Sequence, residues 1–76
     1  MRLNQAVSLR LKELLRQNNM SKYELHTKSG VPRTTITNVL KCSYESVKLR
    51  IISELCRGLG ISVREFFDSP LFDEVS

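Results

Sequence analysis

The chain has no tryptophan, one histidine, two cysteines, two prolines and three glycines in its 76 residues. Each shortage excludes something. Cys42 and Cys56 are too few for the disulfide framework that staples small secreted domains. A structural zinc site needs four Cys/His ligands; with His26 the chain offers three, and no C-x-x-C, so no metal is expected. No apolar run approaches the roughly 20 residues of a membrane span. The basic N-terminus lacks a signal-peptide pattern, so a cytoplasmic, reducing location is expected. No Ser or Cys stands at a spacing that would make His26 its base, so no catalytic residues are expected. Nothing in the sequence calls for a cofactor. A chain this short buries only about 60% of the surface its unfolded form exposes, which leaves little room for an enclosed active site.

What is present is positive charge, unevenly spread. The formal net charge is +4. All 12 Lys and Arg lie at or before Arg64, and five of the eight acids lie within residues 1–67, so residues 1–67 carry +7 and residues 68–76 carry −3. A basic body with an acidic tail suits a polyanionic partner better than a small-molecule substrate. The expected organisation is one domain over residues 1–67 followed by a short acidic tail, 68–76. Hydrophobic residues at 41% and charged ones at 26% are ordinary for a folded soluble chain.

The apolar spacing is helical throughout. Leu3, Val7, Leu11 and Leu14 form one stripe of a first helix over about residues 4–18, ended by Asn18-Asn19. Ser21-Lys22-Tyr23-Glu24 is a capping box opening a second helix, which Ser29-Gly30 stops. Pro32 suits the first position of a third helix running to about Leu40, with Ile36, Val39 and Leu40 inward. Arg33, Thr34, Thr37, Asn38 and Lys41 then share the opposite face. A fourth helix is predicted from about Val47 to Leu59, with Leu49, Ile52, Leu55, Cys56 and Leu59 inward. Ser62-Val63-Arg64-Glu65 is a second capping box, for a short fifth helix through Phe67. Pro70 is expected to close the regular structure, leaving Leu71 and Phe72 to fold back, cap an interface or stay mobile. The fold class is all-α, with five short helices.

The second and third helices, joined by a tight Gly-containing turn, read as a helix-turn-helix. Such a unit braces its first helix on the DNA backbone and lays its second in the major groove. Residues 7–67 resemble the lambda-repressor-like helix-turn-helix family, of the Cro/CI or xenobiotic-response-element type. The resemblance is carried by Met20-Ser21-Lys22-Tyr23-Glu24-Leu25, by Ser29-Gly30-Val31-Pro32-Arg33-Thr34-Thr35-Ile36 and by Leu59-Gly60-Ile61-Ser62-Val63-Arg64-Glu65-Phe66-Phe67. It implies a five-helix domain that binds double-stranded operator DNA, an inverted repeat, as a homodimer. By position it implies that Arg33, Thr34, Thr37 and Asn38 face bases. It places Ser21, Lys22, Lys41 and Tyr44 at phosphates. The chain departs from the family pattern at six positions. Lys22 replaces a Gln, Pro32 a capping Ser or Thr, His26 an Ala and Cys42 a Gly. Leu15 and Leu40 stand where many members place an Arg–Glu ion pair, an exchange that can be neutral or stabilising.

The leading function is therefore a small single-domain transcriptional regulator, a repressor in the simplest case, since a bound dimer blocks polymerase with no further parts. The competing reading is a protein-interaction adaptor or antitoxin on the same fold, using residues 69–76 to hold its partner.

Overall fold

The computed structural model describes residues 1–75. Five α-helices follow one another: α1 (Leu3–Gln17), α2 (Lys22–Ser29), α3 (Arg33–Leu40), α4 (Leu49–Leu59) and α5 (Val63–Phe67). A short 3-10 helix, Pro70–Glu74, follows. No strand occurs among the described residues, so the all-α expectation holds.

The helix boundaries follow local chemistry. The Ser21 hydroxyl accepts the Glu24 N–H at 3.1 Å, which is half of the expected box. At α5 both halves form: Glu65 N–H donates to the Ser62 hydroxyl at 3.0 Å, and Ser62 N–H donates to the Glu65 carboxylate at 3.2 Å. Asn19 takes the left-handed conformation (φ 49°) that lets the chain leave α1. Pro32 stands one residue earlier than expected, as the N-cap rather than the first turn of α3. The start of α4 is two residues later than expected, because Lys48 is still extended (φ −63°, ψ 138°).

The five helices close on one core. Leu11, Leu25, Ile36, Leu55 and Phe66 are wholly buried, and Val7, Val39, Ile52 and Cys56 nearly so. Leu15 lies in this core and Leu40 packs against it, an apolar solution where the family often uses an ion pair. Two residues assigned inward by periodicity face out instead: Leu3 is 56% exposed and Leu49 75%. Each is the first residue of its helix. Periodicity fixes the side of a helix on which a residue lies, but not whether a neighbour reaches that end of the stripe.

Arg10 shows the converse. Outside the predicted stripe, it is nonetheless buried. Its Nε donates to the Phe66 carbonyl and its Nη2 to the Glu65 carbonyl, both at 2.7 Å, and its Nη1 to the Glu13 carboxylate. The last carbonyls of a helix have no intrahelical donor and carry partial negative charge. Arg10 supplies the cation and ties α5 to α1.

Pro70 opens a turn of 3-10 helix rather than closing the structure. Ser69 caps it, accepting the Leu71 N–H at 3.2 Å. Ser-Pro at the N-cap and first position was the overlooked signal. The turn lays Phe72 on the domain, its ring 4.8 Å from that of Phe67 and 6.2 Å from that of Phe66. Phe66 and Phe67 meet edge to face at 5.2 Å.

Candidate nucleic-acid interface

The relation between α2 and α3 is set by a tightly determined turn. Gly30 is left-handed (φ 77°), a conformation that costs a residue with a Cβ, and its N–H caps α2 on the His26 carbonyl at 2.9 Å. Val31 is 1% exposed and plugs the core from within the turn. Its N–H donates to the Ser29 hydroxyl at 3.1 Å. Its carbonyl lies 2.8 Å from Nδ1 of His26, and since a carbonyl only accepts, Nδ1–H donates there. His26 is half-buried and serves the turn.

Behind the turn, α2 packs against α4, with a close approach at Gly58. A Cβ on Gly58 would sit 2.6 Å from the Ser29 Cβ, so only glycine lets the two helices meet at this distance. The sequence signal was a glycine inside an apolar helical run.

Two polar tethers from α1 hold the far end of α3. The Ser8 hydroxyl donates to the Leu40 carbonyl at 2.7 Å, and the Asn4 amide donates to the Tyr44 carbonyl at 2.6 Å. Asn4 and Ser8 are both buried. Spaced i, i+4 on an otherwise apolar flank, they could have been singled out and were not. Beyond α3 the chain turns through Cys42 at φ 58°, the left-handed geometry for which the family uses Gly.

So held, α3 buries Ile36 and Val39 and turns its other face outward. Arg33, Thr34 and Lys41 are exposed, and Thr37 and Asn38 half-buried. Ser21 and Lys22, at the start of α2, are exposed as well. Tyr44 is half-buried, its ring against the core. Two of the outward residues have partners. The Arg33 guanidinium lies 5.5 Å from the centre of the exposed Tyr23 ring, a cation–π contact. The Asn38 amide donates to the Tyr44 hydroxyl at 3.2 Å.

The chemistry of this surface is that of donors and cations. Among the described residues no three His, Cys, Asp or Glu side chains converge as a metal site would require. Burial, and then the nearby Glu65 carboxylate, push the Cys56 thiol above its ordinary range, so it stays protonated in the core. No described helix is long and apolar enough to cross a membrane.

The sequence pattern of the Cro/C1-type HTH DNA-binding domain matches residues 10–70. The chain belongs to this family. It is a DNA-binding domain of the kind found in transcription regulators, and the family is not one of enzymes. Among solved structures, it is similar to the crystal structure of prophage Lp1 protein 11, with 32% identity over 99% of this chain and 100% of that one, and a TM-score of 0.82. It is also similar to a single-residue mutant of the restriction-modification controller protein C.Esp1396I. There the identity is 26% over 97% of this chain and 94% of that one, with a TM-score of 0.83. No protein of curated function matches the chain.

Proposed function

We propose that this Cro/C1-type domain is a sequence-specific regulator that binds operator DNA as a homodimer and represses by occupancy. The observation that carries the reading is the division of α3. Ile36 and Val39 anchor the helix in the core while Arg33, Thr34, Thr37 and Asn38 stand together on its outer side. A major groove about 12 Å wide admits one such helix. Arg33 has the fork geometry for guanine O6/N7 and Asn38 the donor–acceptor pair for adenine. Ser21 and Lys22 at the start of α2, with Lys41 and Tyr44 beyond α3, take the flanking phosphates and fix the register.

The dimer reading draws on the face the core does not cover. Leu3 and Leu49 border a groove that also exposes Val47 and Phe67. A second copy of the chain covers this surface, as small cores are often completed by oligomerisation. The adaptor or antitoxin reading loses its best support, because Phe72 is spent on Phe66 and Phe67 rather than offered to a partner.

Selection from a random duplex pool near about 150 mM salt, followed by sequencing, tests the proposal. The expected result is an enriched inverted repeat with half-sites about 10–10.5 base pairs apart. Salt-sensitive binding without any enriched sequence would refute specific recognition and leave only phosphate binding.

A further inference from the structure

Among the described residues of the outward face of α3, one side chain is hydrogen-bonded by a side chain from outside the helix. Asn38 Nδ2 donates to the Tyr44 hydroxyl at 3.2 Å. Tyr44 is not free to follow Asn38. Its ring packs on the core and its carbonyl is held by the buried Asn4 amide at 2.6 Å. A fixed hydroxyl therefore meets the amide of a residue proposed to read a base.

The chemistry of the pair has a consequence for recognition. A carboxamide can rotate by half a turn and exchange its oxygen for its NH2 with little change of shape. Adenine distinguishes the two: its N7 accepts from the NH2, and its N6–H donates to the oxygen. A tyrosine hydroxyl alone does not choose between the orientations, because it can accept from the NH2 or donate to the oxygen. It chooses once its own hydrogen is engaged elsewhere. A backbone phosphate accepts only. A Tyr44 hydroxyl that donates to phosphate keeps just its acceptor role toward Asn38, and the amide must present Nδ2 to it. One Nδ2 hydrogen then goes to Tyr44 and the other to adenine N7, while Oδ1 accepts from N6–H.

We propose that Tyr44 is a positioning residue, whose hydroxyl donates to a DNA phosphate and fixes the Asn38 amide in the orientation that reads adenine. The proposal rests on the reading of α3 as the base-reading helix. It makes the choice of base at one position conditional on the phosphate contact beside it. Non-specific DNA of any sequence engages Tyr44, and adenine alone then completes the Asn38 bonds.

The test uses the full chain and the operator obtained by selection, with each of the four base pairs placed in turn at every half-site position. The wild type is expected to prefer adenine at one position by about tenfold or more. Tyr44→Phe keeps the ring and removes the hydroxyl. It is expected to leave the thermal midpoint in place and to reduce that preference to within about threefold, alongside a small loss common to all sequences. In an Asn38→Ala background, Tyr44→Phe should change the preference no further. Should Tyr44→Phe weaken all sequences alike while the adenine preference persists, the hydroxyl holds phosphate only and the proposal falls by itself. Should Asn38→Ala leave the ranking of all sequences unchanged, the base-reading role of this helix position falls with it.

Discussion

The two sides of this domain are held together differently. On the side of α1, α5 and the tail, cohesion is dense: three phenylalanine rings meet, and a nearly buried guanidinium spends its donors on Glu13 and on the last carbonyls of α5. On the side of α2 and α3, each helix buries two residues, Leu25 and Ser29 in one and Ile36 and Val39 in the other. Between them Val31 plugs the core from the turn and Leu40 packs against it; most other side chains of the two helices are polar and exposed or half-exposed. The difference separates stability from recognition. The outward side chains of α3, which we propose read DNA, lie outside the core and can vary at little cost in stability. Gly58 and Ser29 form the seam, where the helix pair is pressed against α4.

The contrast can be broken from the scaffold side first. Arg10→Ala leaves the Phe66 carbonyl without its donor, leaves the Glu65 carbonyl with only the Asp68 N–H and unpairs Glu13, and is expected to cost about 2–4 kcal/mol of stability, read as a lowered denaturation midpoint in urea. An unchanged midpoint would show that the α1–α5 tie is dispensable. At the seam, Gly58→Ala gains helix propensity but drives a Cβ into Ser29. We expect a net loss of about 1–3 kcal/mol, again by denaturation, and a gain in stability would mean that the two helices part easily. On the other side, Lys22→Ala should leave the midpoint alone and weaken binding to all DNA sequences alike. The slope of log K against log salt should flatten by about 0.9; a steep slope retained in the variant would remove Lys22 from the phosphate contacts. The smallest effect is expected at Cys42, whose φ of 58° strains a residue with a Cβ. Cys42→Gly should raise stability by about 0.5–1 kcal/mol, less than the conformational strain relieved because glycine also loosens the unfolded chain. A calorimetric midpoint that falls would mean the thiol contributes packing that outweighs the strain.

Much of the fold was legible because local chemistry announces helix ends. Ser21, Gly30, Gly60 and Ser62 each sit at a boundary for a reason that operates within a few residues. The composition of the outward face of α3 was legible for the same kind of reason, since a helical period assigns Arg33, Thr34, Thr37, Asn38 and Lys41 to one side. What failed was whatever depends on a distant partner. Arg10 is buried because the end of α5 arrives beside it, and Leu49 is exposed because nothing does. Phe72 is covered because Ser69-Pro70 starts a turn that a reading of proline as terminator ignores. The link from Asn4 through the Tyr44 backbone to Asn38 joins residues from α1, a loop and α3, and no spacing rule connects them.

The central claim is that α3 reads bases, with Arg33 foremost. It is tested most directly by repeating the duplex selection with Arg33→Ala beside the wild type at the same salt. The prediction is that the enriched motif keeps its spacing and symmetry but loses its preference at one base pair in each half-site, with about 1–3 kcal/mol lost on the original operator. If both proteins enrich the same motif with the same preferences, Arg33 does not read a base and recognition lies elsewhere on the molecule.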